Sequence, residues 1–142
     1  MLLPISGGAE SPKERLDRLV AEGMILQEAV DQAERLWRER LQNGVLMPNG
    51  EIARLILDDI YHIIVDSRIG SHPERIVLLL EGVADIREAA LGRRRALSVW
   101  QEDEQEFFGY AILEKDSRVR TLHVVRPGEF RRMSRQGGRL WP

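Results

Sequence analysis

The spacing of hydrophobic residues changes at Gly82, and this change constrains the fold more than any other feature of the sequence. Before Gly82, apolar residues recur every three or four positions, which is typical of helices with one buried face. After Gly82, apolar and polar residues alternate, which is typical of strands. Helices first, then strands joined by short loops, predict an α+β fold in which an antiparallel sheet packs on the helices.

The first helix has a clear start and a clear end. Ser11 and Glu14 form a capping box, and Pro12 occupies the first helical position, where its missing N–H costs nothing. Gly23 is placed to end this helix in a left-handed conformation. A second helix over residues 24–42 then completes a helical hairpin.

Two further helices are predicted before Gly82. Ser71 and Glu74 repeat the capping-box pattern, and a short apolar helix follows them. The turn residues at 47–50 separate the N-terminal hairpin from the rest of the chain. The third helix is predicted over residues 51–66 and the fourth from Ser71 to Gly82. The predicted domains are a helical hairpin over residues 1–46, an α+β body over 47–126 and a basic tail over 127–142.

The alternation after Gly82 predicts four strands, over residues 85–90, 96–101, 107–113 and 118–126. Because side chains alternate between the two faces of a sheet, each strand has one face toward the helices. We expect that face to carry the aliphatic residues Leu97, Val99, Leu122 and Val124. His123 and Trp100 would then lie on the uncovered face.

Composition excludes several classes of site. The chain has no cysteine, so disulfides, thiolate metal sites and cysteine nucleophiles are absent. No stretch approaches the roughly 20 apolar residues that cross a bilayer, and the N-terminus lacks the pattern of a secretion signal. We therefore expect a cytoplasmic protein of a host cell, with association with a virion as an alternative, and no contact with membranes.

The charge is unevenly distributed although its net value is only −2. Six acidic residues and one lysine lie between Gln101 and Asp116, whereas seven arginines and one glutamate follow from Ser117 onward. The tail carries Arg131, Arg132 and Arg135 and ends in Leu-Trp-Pro. A basic arm that ends in an aromatic residue suits binding to nucleic acid or to a protein, and a solvated tail is the alternative.

Common catalytic and metal motifs are missing. The sequence has no P-loop, no dinucleotide-binding glycine motif and no G-x-S-x-G. His62 and His72 are ten residues apart across a predicted helix break, unlike the four-residue spacing of zinc-binding histidine pairs. The other candidate ligands are the carboxylates of Asp58, Asp59, Asp66 and Asp85, and we expect no metal or cofactor. His62 is predicted to hydrogen-bond Asp58 on a helix surface.

Metal-free cleavage of RNA needs only a base, an acid and a cation. Imidazole titrates near neutrality, and guanidinium holds phosphate through two parallel hydrogen bonds. The chain supplies these groups in His72, His123 and the run Arg93–Arg95. They are far apart in sequence, so the fold must bring them together. The structural alternatives are that His72 caps a helix and that the three arginines form a solvated turn.

The order of elements resembles the phage-borne branch of the barnase, EndoU, colicin and RelE-like ribonuclease superfamily. The residues that carry the resemblance are IYHII, SHPERIVLLLEGVADI, RALSVWQ, FFGYAIL and RVRTLHVV, between Leu55 and Arg126. The resemblance implies a metal-independent ribonuclease, such as a toxin or phage effector. It implies His72 as the acid or base, Arg94 or Arg95 on the phosphate, and Thr121 or His123 completing the site.

A binding protein is the rival hypothesis. A phage or mobile-element protein that docks on a host enzyme, or a virion assembly component, would use the same fold without catalysis. Trp100, Arg131, Arg132 and Arg135 are the candidate binding residues, for RNA or for a protein partner. The acidic stretch before Ser117 and the arginines after it also fit self-association.

Overall fold

A computed structural model describes residues 10–66, 69 and 72–142, and these form an α+β fold around one hydrophobic core. The N-terminal hairpin contributes Leu16, Val30 and Ala33 to the same core as the sheet residues Ala111 and Leu122. The helices are α1 (Pro12–Ala21), α2 (Gln27–Glu39), α3 (Leu57–Asp66), α4 (Arg75–Glu81) and α5 (Pro127–Met133).

Seven strands form two antiparallel sheets among the described residues. A small hairpin pairs β1 (Val45–Leu46) with β2 (Ile52–Ala53) around a turn at Asn49–Gly50. The main sheet has the order β6-β5-β4-β3-β7. Its strands are β3 (Val83–Glu88), β4 (Arg94–Glu102), β5 (Gln105–Leu113), β6 (Val119–Val125) and β7 (Arg139–Trp141).

The predicted start and end of the first helix are confirmed, since the Ser11 and Glu14 capping box is present and Gly23 has a φ of 75° just after α1. The prediction of one helix over residues 51–66 is wrong. Residues 52–53 pair in β2, and α3 begins only at Leu57, where the Asp59 carboxylate accepts a hydrogen bond from the Ile56 amide at 2.9 Å. The second capping box, at Ser71, lies outside the described residues.

The tail is not an extended arm. After β6 the chain forms α5, crosses the sheet and adds β7 as a fifth strand beside β3, with Trp141 paired to Ile86. The ring of Trp141 packs against the core, and the guanidinium of Arg87 donates a hydrogen bond to the Gly137 carbonyl at 3.1 Å. The sheet therefore has five strands, and not the four that the sequence predicts.

Small residues decide which sheet face the helices cover. Ser98 on β4 pairs with Gly109 on β5, and the Ser98 hydroxyl donates a hydrogen bond to the Leu79 carbonyl of α4. A Cβ at Gly109 would lie 2.4 Å from Leu79 Cδ1, so the helix packs directly on the glycine backbone. The face with Ser98 and Trp100 is thus the covered one, which corrects the prediction that Leu97 and Val99 face the helices.

Among residues 10–66, 69 and 72–142, no helix is long and apolar enough to cross a membrane.

Glu51 links the β1–β2 hairpin to the main sheet. Its carboxylate accepts hydrogen bonds from Arg94 at 2.8 Å and from the Ser117 hydroxyl at 2.6 Å. The hydrogen bond from Arg94, helped by those from Ser117 and Asn49, lowers the pKa of Glu51 to about 2. The carboxylate is therefore more stable in the folded chain than in the unfolded one.

Replacing Glu51 with Gln is expected to cost about 1–2 kcal/mol at pH 7, because partial exposure of the pair reduces the roughly 3 kcal/mol that the full pKa shift would give. A lowered folded pKa stabilises the protein above the unfolded pKa of about 4.5 and loses this effect as pH falls toward 2. Urea unfolding from pH 7 to pH 2 measures the difference, which should shrink over that window. Glu81→Gln, which removes an exposed ion pair with Arg40, is the control and should cost under about 0.5 kcal/mol. Equal costs for the two variants at pH 7 would contradict this prediction.

Trp141 anchors β7. Trp141→Ala is expected to lower the free energy of unfolding by about 2 kcal/mol, since a partly buried indole leaves the core and the strand loses its apolar contact. The neighbouring Leu140 is 49% exposed, so Leu140→Ala should stay within about 0.5 kcal/mol of the wild type. Denaturant unfolding of both variants checks this, and a neutral Trp141→Ala would contradict the packing of the tail.

Candidate functional site on the open sheet face

Three rows of side chains lie on the sheet face opposite helices α1–α4, as the strand registers define them. The row nearest α5 is apolar, and Phe130 of α5 covers it by packing on Phe108, with ring centroids 4.9 Å apart. The other two rows carry polar groups. The rows are Val99, Phe108 and Val125; Leu97, Tyr110 and His123; and Arg95, Ile112 and Thr121.

Thr121 and His123 form the centre of this face. They lie two residues apart on β6, so both point to the same side, and Thr121 Oγ1 lies 3.0 Å from His123 Nε2. The ring of Tyr110, directly opposite His123 on β5, has its centroid 5.3 Å from that of the imidazole. These contacts hold the imidazole beside the ring of Tyr110.

The pKa of Tyr110 is raised above its usual value of about 10, mainly because burial disfavours the phenolate. The carboxylate of Glu129 on α5 acts in the same direction, and the charge of Arg95 partly offsets both. Tyr110 therefore keeps its proton at neutral pH and is a hydrogen-bond donor.

Arg95 places a cation at the edge of this cluster. Its NH1 nitrogen is buried and has no hydrogen-bond partner among the described residues. Buried guanidinium nitrogens are nearly always paired, so an unpaired one is unusual. Arg95 as a whole is half-buried, so its positive charge acts on an anion that binds on the face.

The carboxylate of Asp85, on β3, and the arginines that contact it lie beside Arg95 of β4. Arg87 pairs with Arg95 across the strands and donates to Asp85 Oδ2 at 3.0 Å. Asp85 Oδ1 is buried without a hydrogen bond and lies 3.6 Å from Arg139 Nε on β7. Asp85 thus fixes Arg87, and the charge of Arg95 is left for other partners.

Helix α5 adds positive charge at the end of the open sheet face where Phe130 packs on Phe108. Arg131, Arg132 and Arg135, which the sequence predicts as binding residues, are exposed. They follow Phe130, which packs on the face itself. The predicted basic segment is therefore folded against the sheet, next to the cluster.

His72 is not part of this cluster. It precedes α4 on the helix-covered side, where its Nδ1 lies 3.4 Å from Glu74 Oε1 and it lines a shallow cavity together with Gln32 of α2. The sheet separates it from His123. The sequence-predicted combination of His72 with His123 is therefore not brought together.

Arg94 and Trp100 are also on the covered side. Arg94 is held by Glu51 and Ser117, as described above. Trp100 is 7% exposed, stacks on Phe107 and donates its Nε1–H to Glu102 at 2.7 Å. The prediction that Trp100 lies on the uncovered face is wrong, because the row of Ser98 and Gly109 turns the even-numbered residues of β4 toward the helices.

The expected partner of His62 is corrected as well. Its Nδ1 lies 3.0 Å from Asp66 Oδ2, one turn further along α3, and not beside Asp58. No group of three or more histidine, aspartate or glutamate side chains that could hold a metal ion occurs among residues 10–66, 69 and 72–142.

Tyr110 and Arg87 were not predicted as site residues. A usable signal was present in β5, where Gly109 and Ala111 alternate with Phe108, Tyr110 and Ile112. Small residues mark the face on which a helix packs closely, so the larger side chains between them must point away from the helices.

The fold and the site together define a small α+β protein with a polar imidazole, phenol and guanidinium cluster on one sheet face. No family model, no curated protein and no solved structure matches the chain.

Proposed function

We propose that the chain is a small metal-independent ribonuclease whose site is the polar part of the open sheet face. The observation that carries the proposal is the contact between Thr121 and His123, beside Tyr110 and on the same face as the guanidinium group of Arg95. This set contains a titratable base, a protonated donor and a cation. Cleavage of RNA by its own 2′-hydroxyl needs no more than these.

In the proposed reaction, His123 takes the proton of the 2′-hydroxyl as the 2′-oxygen bonds to phosphorus. The bond from phosphorus to the 5′-oxygen breaks, and the hydroxyl of Tyr110 donates its proton to that leaving oxygen. Arg95 neutralises the charge on the phosphate oxygens, and Thr121 holds the imidazole in place. The products are a 2′,3′-cyclic phosphate and a 5′-hydroxyl, and the proton returns from His123 to Tyr110 through water.

The exposed arginines of α5 support this proposal. A single-stranded RNA on the face would pass Arg131, Arg132 and Arg135, which are exposed. Guanidinium groups bind phosphates without reading the base, so they give affinity and a strong dependence on salt. Because the net charge of the whole chain is −2, attraction of RNA depends on local groups of arginines such as this one.

The experiment is incubation of the purified chain with an end-labelled oligoribonucleotide in EDTA, next to the same oligonucleotide with 2′-deoxyribose at every position. We expect cleavage of the RNA alone and products with 2′,3′-cyclic phosphate ends. Intact RNA, cleavage of the deoxy oligonucleotide, or 3′-hydroxyl ends would each overturn the proposal.

A non-catalytic phage or mobile-element protein that binds a host or phage protein is the second candidate. This candidate is favoured because the predicted catalytic residues lie on both sides of the main sheet. His72 and Arg94 lie on the helix-covered side and are engaged in structural contacts. The same assay decides between the two, because a binding protein leaves RNA intact.

A further inference from the structure

A polar cleft, separate from the open sheet face, lies between α3 and the first residues of β6. It has a volume of about 300 Å³ and is lined by Asp59, His62, Glu114, Arg118, Arg120 and Thr121. Thr121 belongs both to this cleft and to the open sheet face. The cleft and the proposed cleavage site therefore share a wall.

A β-bulge directs Arg120 toward the cleft. Ile112 pairs with Thr121 but Leu113 pairs with Val119, so Arg120 is an extra residue in β6. Bulges are known to re-aim a side chain at the edge of a sheet. The Arg120 side chain is 54% exposed and makes one contact with Glu114, at 3.4 Å, so most of its donors remain available.

The other two donors of the cleft are held in position by carboxylates. Asp59, only 11% exposed, accepts from Arg118 NH2 at 2.8 Å and from its Nε at 3.2 Å, which leaves NH1 directed elsewhere. Asp66 engages His62 Nδ1 and also binds Arg15 at 3.1 Å. The remaining ring nitrogen of His62, Nε2, has no hydrogen-bond partner in the described part of the chain.

Both carboxylates that line the cleft are already paired with guanidinium groups. Asp59 pairs with Arg118, and Glu114 pairs with Arg120 and with Arg93, which lies outside the lining of the cleft. The hydrogen bond from Arg93 lowers the pKa of Glu114, which keeps that carboxylate ionised. Because both carboxylates are engaged, the remaining guanidinium N–H donors of Arg118 and Arg120 favour an anion with several oxygens.

We propose that this cleft binds a phosphate group of the RNA next to the scissile one, through Arg120, Arg118 and His62. The inference rests on the proposed function for its substrate, since the adjacent residues Thr121 and Arg120 place the two phosphates on either side of β6. The cleft then determines which RNA lengths are cleaved efficiently.

The binding test uses inorganic phosphate and needs no cleavage. NMR spectra of the wild-type chain should show saturable shifts of the His62 ring and the Arg120 Nε–H signals as phosphate is added. Arg120→Gln should weaken phosphate binding about tenfold, since it removes a charged donor. Arg38→Gln, an exposed arginine of α2, is the control and should bind as the wild type does. Unchanged His62 and Arg120 signals would overturn the inference, whatever the outcome with RNA.

The RNA test compares a dinucleotide, which has one phosphodiester, with oligonucleotides that carry one more phosphate on either side. Arg120→Gln should raise KM about tenfold for one of the longer substrates, leave the dinucleotide unchanged and preserve kcat. The slope of log KM against log salt should fall by about 0.7 for the lost contact. An equal effect on all substrates would contradict the flanking role. If phosphate binds but RNA stays intact, the proposed ribonuclease function falls and the phosphate site stands.

Discussion

His123→Ala is expected to reduce RNA cleavage about 10³-fold while His72→Ala cleaves as fast as the wild type. General acid–base groups contribute roughly 10²- to 10⁴-fold to rates, and His123 is the imidazole that lies beside Thr121, Tyr110 and Arg95 on one face. His72 lies on the other side of the sheet next to Glu74. Initial rates with the labelled oligoribonucleotide measure both variants.

The two histidines form a matched pair, because each is a single partly exposed imidazole in the same chain. Circular dichroism and urea unfolding should show that both variants fold. Host growth on expression gives a second readout, since cleavage of cellular RNA arrests growth and only His123→Ala should relieve the arrest. Loss of activity in His72→Ala with full activity in His123→Ala would restore the site that the sequence resemblance implies and remove the one proposed from the open face.

Leu79→Ala is expected to lower the free energy of unfolding by about 3–4 kcal/mol. Leu79 is fully buried, and its Cδ1 occupies the space above Gly109, which has no side chain to fill the cavity left behind. Large-to-small changes at such rigid sites lie in the upper part of the range of about 2–5 kcal/mol. Leu78→Ala, on the partly exposed side of α4, is the control and should cost about 1 kcal/mol. Equal costs in urea unfolding would contradict the packing of α4 on Gly109.

A double-mutant cycle isolates the contact itself. Gly109→Ala should cost about 1–3 kcal/mol in the wild type, because its Cβ would meet Leu79 Cδ1 at 2.4 Å. In the Leu79→Ala background that collision is removed, although the His123 carbonyl at 2.8 Å from the same Cβ still limits the space. The two substitutions should therefore couple by at least 0.5 kcal/mol. Additive costs would contradict the contact.

Local signals in the sequence predicted much of the fold. The capping box at Ser11, the left-handed Gly23 and the change from helical to strand spacing at Gly82 are each encoded within a few residues, so they hold without knowledge of the tertiary structure. The same signals failed at residues 51–56, where the apolar spacing of a helix is present. There, pairing of Ile52 with Leu46 across the Asn49–Gly50 turn overrides local preference.

The side of the sheet that faces the helices was not predictable from hydrophobicity alone. Leu97 and Val99 are the obvious core residues of β4, yet Ser98 faces α4 because the close approach of that helix requires small side chains. Leu97 is still fully buried, on the other face. A shift of one residue along a strand exchanges all its side chains between the two faces. The predicted facing of β4 was off by one residue, and Trp100 was therefore assigned to the wrong face.

The sequence predicted the types of residue in the candidate site, but not which particular residues lie together in it. Arg95, Thr121 and His123 were predicted and lie on one face, whereas Tyr110 was missed and His72 and Arg94 lie elsewhere. These residues were misassigned because the register of neighbouring strands decides which side chains share a face, and the register cannot be read from the sequence alone. The α5 arginines were predicted as a basic arm, and the contact of Phe130 with Phe108 that folds them onto the sheet is a long-range contact.

The most direct test of the open face as the RNA site is to map where an uncleavable RNA binds. An oligonucleotide with 2′-O-methyl groups lacks the attacking hydroxyl, so its binding is separate from chemistry. In NMR titration of the wild-type chain, the signals of Arg95, Tyr110, Thr121 and His123 should shift together, and those of His72 should not move. Shifts confined to the side of His72 and α4, or no shifts at all, would contradict the account.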